Sequence, residues 1–466
     1  MKLISSKIAS AVVVVTLGVT TTGCHIYKKF ELPEDTPITR EYKQALEAEP
    51  DTTALGNLPW TEVFTDPVLT DLISQALENN KDLANARLNV EIAHANMLGA
   101  RLSYLPSVTL MPNGAGSSMA GSPMSWSYQL PLSVSWEIDV FGKILNSKRS
   151  AEASYQQSKD YEQAVRSQLI AGVANCYYSI SALEAQLMLQ RATAESWEKS
   201  VQMMKDIKEA GNTTEAAVVQ SAAQYHGILG SITDLATSVE EAHHTLSLLL
   251  NVTPQRWAIQ PGLSLDELPA GFNAGVPMSA LAARPDIHAS ERALAVAYYA
   301  TNQARAAFYP GLNITANGGF TNLLGSMIKN PGEWFINLAG QLTAPLFARG
   351  QNIARLKATK AQQQQAMNNF QYALMSASAE VSNALTAYHN TSAKLQQLAT
   401  QADYMARAVD ITETLFTNAA SSYPTTYLEV LTAQQNYLSV QMNFINCNLI
   451  RTSAIINLYQ ALGGGR

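Results

Sequence analysis

Apolar and polar residues alternate almost without fault from Trp126 to Asp139. Trp126, Tyr128, Leu130, Leu132, Val134, Trp136 and Ile138 are apolar, with Ser127, Gln129, Ser133, Ser135, Glu137 and Asp139 between them. Period-two alternation predicts a β-strand with one apolar and one polar face. The run is long enough to cross a bilayer obliquely, which takes roughly 9–11 residues. Past Phe141-Gly142-Lys143 the spacing turns helical, and no proline interrupts Ile144 to Ala210. Along it, Val165, Leu169, Val173, Cys176, Ile180, Leu183, Leu187, Gln190, Ala194, Trp197, Val201 and Met204 form a stripe. Its mean spacing of about 3.5 residues is the coiled-coil period. At roughly 1.5 Å per residue such a helix is on the order of 100 Å long. Gly211-Asn212-Thr213-Thr214 breaks it, and a returning helix is predicted from about Glu215 to Leu250.

Before the strand, Trp60 to Ser103 carries helical spacing. It is opened by Asp66 as N-cap with Pro67 at the first helical position and stopped by Pro106. Ser107 to Met119 alternates briefly, and Gly114 to Pro123 reads as a turn-rich loop. Residues 251–280, rich in proline and glycine, read as a connector. Then the chain repeats itself at a constant offset of 204 residues: Asp82 matches Asp286, Arg101 matches Arg305 and Pro106 matches Pro310. A strand with Leu312, Ile314, Ala316, Gly318 and Phe320 on one face follows. A second carries Trp334, Ile336, Leu338, Gly340, Leu342, Ala344 and Leu346. Phe347-Ala348-Arg349-Gly350 then stands where Phe141-Gly142-Lys143 stood. From Gln351 to Leu462 there is no glycine and a single proline, Pro424, near a polar turn. Each half reads helix, strand, strand, long helix, turn, helix, which makes a tandem repeat expected over 60–274 and 275–466.

Two halves give four amphipathic strands. Open sheet edges in lipid are expensive, so closure must come from other chains, and three copies would complete a twelve-stranded barrel. The expected class is thus a membrane α+β protein, its barrel continued by a tube of coiled-coil helices. Gly142 and Gly350, with Phe141 and Phe347, should mark the level where barrel becomes tunnel.

Charged residues make up only 15% of the chain, against roughly 25% in typical soluble proteins, while hydrophobic content is 47%. That suits surfaces facing a neighbouring subunit, a lumen or lipid. A formal net charge of −6 gives no reason to expect nucleic acid. Lys2 and Lys7 precede an apolar run from Ile8 to Val19, the size of a secretory signal. Thr21-Thr22-Gly23-Cys24 resembles a bacterial lipobox, with Thr21 in place of the usual leucine. It implies a signal peptide over 1–23, lipidation at Cys24 and an anchored tether over 24–59. Cys176 and Cys447 read as buried thiols. His243-His244 is expected to be a packed or solvated pair, because adjacent helical residues diverge. Gly463-Gly464-Gly465 reads as a tail, since no helix follows it to make a phosphate loop. No catalytic constellation, metal site or cofactor is expected.

The ordered set of motifs is similar to the TolC-like outer-membrane efflux factors, and within them to the OprM-like and NodT-like lipoproteins. The carriers are Phe64-Thr65-Asp66-Pro67, Ala76-Leu77-Glu78-Asn79-Asn80, Ser135 through Lys143, and Arg284-Pro285-Asp286-Ile287. The second half adds Ala344-Pro345-Leu346-Phe347, Tyr427-Leu428-Glu429-Val430-Leu431 and the terminal Leu458 through Gly465. The resemblance covers essentially the whole mature chain. It implies a homotrimeric channel-tunnel in the outer membrane, the passive exit duct of a tripartite pump. A periplasmic adaptor and an inner-membrane transporter, of the RND type, would be its partners. The tip turns, Gly211, Asn212, Thr213 and Thr214 with Tyr423, Pro424, Thr425 and Thr426, would dock the adaptor and gate the tube. Relatives usually carry glycine in both turns and often an acid in the second, and this chain has neither there. Asp410, Glu413 and Glu429 lie within helical reach, with nothing to choose among them. Two other readings stay open: the outer component of a protein-secretion system, and a coiled-coil scaffold lipoprotein without a pore. The four amphipathic strands argue against the scaffold.

Overall fold

The computed structural model describes residues 27–34, 36–47, 58–265, 281–323, 333–417 and 425–465. The signal segment 1–23, Cys24, much of the tether, the expected boundary at 274/275 and the tip residues Tyr423 and Pro424 lie outside the described residues.

Helix α1 spans Pro37–Glu47, α2 Trp60–Val63, α3 Pro67–Asn79 and α4 Lys81–Leu102. Asp66 caps α3 as its sequence position predicts, accepting from the Val68 and Leu69 amides at 2.8 and 3.4 Å. The single helix expected from there to Ser103 is broken at Asn80, whose ψ is 132°. The Asn80 side-chain oxygen accepts from the Asp82 and Leu83 amides, so this residue ends one helix and caps the next.

Strands β1 (Ser107–Leu110), β2 (Asn113–Ser117) and β3 (Ser125–Ile138) follow, then α5 (Lys143–Glu209) and α6 (Glu215–Leu249). The second half supplies α7 (Pro285–Ala306), β4 (Gly311–Leu323), β5 (Glu333–Thr343), α8 (Gln351–Thr417) and α9 (Tyr427–Ala461). Equivalent helices match in length: α4 and α7 have 22 residues, α5 and α8 have 67, α6 and α9 have 35.

Two compact units divide the chain, and each draws on both halves of the repeat. One comprises 1–34, 88–159 and 288–372, and so holds the sheet with the helix segments that flank its strands. Both β1 and β2 pair antiparallel with β3 in one register, Leu110 opposite Leu132 and Asn113 opposite Gln129. They are therefore a single strand interrupted at Met111-Pro112, where proline has no amide to donate. The sheet order is β1/β2, β3, β4, β5, the four strands expected. Gly114 to Ser117, expected in a loop, belongs to β2, because pairing with β3 overrides the turn tendency of its glycines. β5 stops at Thr343, ahead of Pro345.

The other unit is helical, and its core is built on the predicted α5 stripe. Leu169, Val173, Ile180, Leu187, Trp197 and Met204 are all buried. The C-terminal glycines are docked rather than a free tail. Gly463, at φ 84°, and Gly464 close the last turn of α9 by donating to the Gln460 and Tyr459 carbonyls. Beyond them, Ser167 donates to the Gly464 carbonyl, and the Gly465 amide donates to the Tyr459 hydroxyl at 2.8 Å.

Candidate functional site

The sheet's alternation sorts its residues cleanly. Val108, Val134, Ala316 and Leu338 form one cross-strand row, and Leu110, Leu132, Gly318 and Ile336 the next. On the opposite face lie Ser133, Asn317 and Asn337, then Ser135 and Thr315. The apolar face is open: Trp334, Ile336 and Leu338 are 72–74% exposed. A continuous apolar face of this kind is the outer wall of a barrel in lipid. Among the described residues, the outer sides of β1/β2 and of β5 have no strand partner. No described helix is long and apolar enough to cross a membrane.

Below β3, Gly142 takes φ 69° between the strand's end and the start of α5. Its carbonyl accepts from the Asn146 side chain at 2.6 Å, and Asp139 accepts from the Leu145 amide at 2.7 Å. Phe141 stacks on Tyr309 at 4.9 Å between centroids. In the second half, Arg349 and Gly350 are both left-handed, at φ 50° and 75°. Phe347 is 87% exposed there, so the two strand-to-helix connections share a left-handed glycine just before the long helix without sharing packing.

The Gly211 turn ends α5 in a left-handed glycine. The Gly211 amide donates to the Lys208 carbonyl and the Asn212 amide to Ile207, satisfying the last carbonyls of the helix. Thr214 caps α6 through the Ala217 amide, and Lys208 pairs with Glu215 across the turn. In the second turn, the Thr426 amide donates to the Glu429 carboxylate at 2.9 Å. Thus Glu429 is a helix cap, and Glu413 accepts from Gln434 at 2.7 Å. Trp197, Met204, Val218, Tyr427, Val430 and Leu431 form one buried cluster that joins the end of α5 to the starts of α6 and α9. Burial raises the Tyr427 phenol, with Ser221 and Ser200 beside it working the other way.

His243 and His244 diverge as expected: the first is buried and the second exposed. His243 Nδ1 accepts from the Trp257 amide at 3.2 Å, and Nε2 faces Glu184 at 3.7 Å. Burial lowers its pKa, and Glu184 opposes that shift. No group of His, Cys, Asp and Glu among the described residues is arranged to hold a metal. Both described cysteines are free, Cys447 buried and Cys176 half-buried with its thiol pushed up to about 11 by burial.

Sequence reasoning missed a buried cation. Arg284 is 6% exposed and bonds Asp286, Glu380 and the Ala461 carbonyl, tying the start of α7 to the end of α9. Its signal was present in the Arg284-Pro285-Asp286 motif, but Glu380 and Ala461 are too far along the chain to suggest themselves.

The sequence model of the outer membrane efflux protein family matches residues 72–252 and 276–464. The chain is 29% identical over 414 residues to the probable outer membrane lipoprotein SilC of Salmonella typhimurium, covering 87% of this chain and 88% of that one. It is 29% identical over 477 residues to the probable efflux pump outer membrane protein TtgC of Pseudomonas putida, covering 99% and 96%. The fold is similar to the open-state crystal structure of the Neisseria gonorrhoeae MtrE outer membrane channel. The TM-score is 0.79 and the identity 27%, over 94% of this chain and 97% of that one. An amphipathic sheet with an open apolar face, long paired helices and a family match in both halves lead to one conclusion: the chain belongs to the outer membrane efflux protein family.

Proposed function

We propose that three copies of this chain close into one outer-membrane duct, the passive exit of a tripartite efflux pump. A periplasmic adaptor and an inner-membrane transporter of the RND type would complete it. The observation that carries this is the four-stranded sheet, apolar on one exposed face and unpaired on both outer edges. Edge amides in lipid cost several kcal/mol each, at an estimate of roughly 2–7, so the edges pair with those of other copies. Polar side chains such as Asn317 and Asn337 then line the lumen. The resemblance to SilC, named as a lipoprotein, supports acylation at Cys24. The tip turns are the proposed docking and gating end: Gly211 to Thr214 and Tyr423 to Thr426 join long helices there, and the adaptor would act on them. Gly142 and Gly350, with Phe141 and Phe347, are the proposed passage from barrel to tunnel.

The mass of detergent-solubilised protein from outer membranes tests the assembly. Three copies per particle are expected, and a stable monomer would overturn the closure argument.

A further inference from the structure

The segment that leaves α6 is bonded back onto α5 and α6. Ser181 on α5 accepts from the Leu263 amide at 2.8 Å and donates to the Gln260 carbonyl at 2.6 Å. Ser247 on α6 accepts from the Gln255 amide at 3.3 Å and from Trp257 Nε1 at 3.0 Å. The remaining hold on Arg256 and Trp257 is ionisable. The Trp257 amide donates to His243 Nδ1 at 3.2 Å, and Arg256 reaches Glu184 at 2.7 Å and Glu240 at 3.3 Å. Serine hydroxyls do not titrate near neutral pH, so a response to mild acid falls on His243.

Accepting at Nδ1 places the neutral ring's one proton on Nε2. That atom is buried without a hydrogen-bond partner among the described residues, and Glu184 Oε1, at 3.7 Å, lies beyond bonding distance. A second proton must go on Nδ1, where it meets the Trp257 N–H, two donors with no acceptor between them. The same proton makes the ring a cation beside Glu184, and it then competes for the carboxylate that Arg256 holds. Arg256 keeps Glu240. The charged groups around the ring are Glu184 from α5, Glu240 from its own helix and Arg256 from the segment itself. Cys176 on α5, which donates to the neighbouring Ala242 carbonyl, stays a thiol because burial pushes it up to about 11. Burial lowers the His243 pKa while the segment is in place, so the proton binds more tightly once the segment has lifted, and acid favours the lifted form. We propose that His243 is an acid-sensitive latch: neutral, it holds Trp257 on α6; protonated, it turns to Glu184 and lets Arg256 and Trp257 lift. Ser181 keeps Gln260 and Leu263 in place, so the opening is local. The inference goes beyond the export role and does not depend on the closure of the duct.

Hydrogen exchange of the full-length protein in detergent, read to single amides and corrected for the intrinsic effect of pH, tests it. Between pH 7.5 and pH 5.5 the Trp257 amide should speed up about fivefold, the worth of one ordinary hydrogen bond, while the Leu263 amide keeps its rate. In His243→Asn, which can accept from the Trp257 amide but takes up no proton, the rise should vanish. In Glu184→Gln, which lacks the carboxylate that favours the charged ring, the rise should move to lower pH. No rise in the parent, an equal rise in His243→Asn, or an equal rise at Leu263 would overturn the latch. Should the His243→Asn protein fail to assemble, Glu184→Gln carries the test, and a response at the parent's pH would overturn the latch likewise.

Discussion

Gly463 holds a conformation that other residues reach only at a cost. At φ 84°, a Cβ there would also meet the Ala283 carbonyl oxygen at 2.9 Å. Gly463→Ala should lose about 1–2 kcal/mol from the left-handed backbone, and more from the contact. Thermal melting followed by circular dichroism should show a lower midpoint. His243 gives a pH dependence whose sign follows from burial. Its folded pKa lies below the unfolded value of about 6.5, so the unfolded chain takes up the proton first as pH falls. Stability is then present above about pH 6.5 and declines as pH drops toward the folded pKa. Melting at pH 7.5 and pH 5.5 should show this decline in the parent. In His243→Asn, whose oxygen can still accept from the Trp257 amide, the decline should be smaller; an equal decline would assign it to other groups. None of these contacts is local in sequence. The three glycines read as a tail because no helix follows them, and Ala283 and Ser167, against which they lie, are in distant segments.

At the scale of elements, periodicity made β3, β4 and the long helices legible, since a core stripe or a lipid face must repeat at the element's own period. What escaped was set by single polar or flexible residues. Asn80 splits a helix by capping its second part, and the β1/β2 strand hides its continuation among glycines. The Gly211 turn is visible because glycine ends helices, but the cluster beside it unites Trp197 with Tyr427, far apart in the chain. Tyr427→Ala should remove about 3–5 kcal/mol of packing, by analogy with other buried aromatics. Hydrogen exchange should then speed up in the first turns of α6 and α9 and stay unchanged in the sheet. Within the sheet, a Cβ on Gly319 would collide with the Leu130 carbonyl oxygen. Gly319→Val should break the pairing of β3 with β4 and deplete the protein from the outer-membrane fraction. Ile336→Arg should destabilise the lipid face by roughly 2–4 kcal/mol at the bilayer midplane. A folded yield equal to the parent's would place Ile336 away from lipid.

The whole molecule follows from one imbalance: among the described residues, each chain makes an amphipathic sheet whose two outer edges have no strand partner. The proposed closure by symmetry would answer the edges, and the low charge of the chain suits surfaces that face a neighbour, a lumen or lipid. The central claim is that the closed assembly conducts. Purified protein reconstituted in a planar bilayer provides the most direct measurement. Discrete ion-conducting steps are expected from the parent and not from the Gly319→Val protein. Well-incorporated assembled protein that never conducts, under any voltage or after substitutions that loosen the tip cluster, would contradict it.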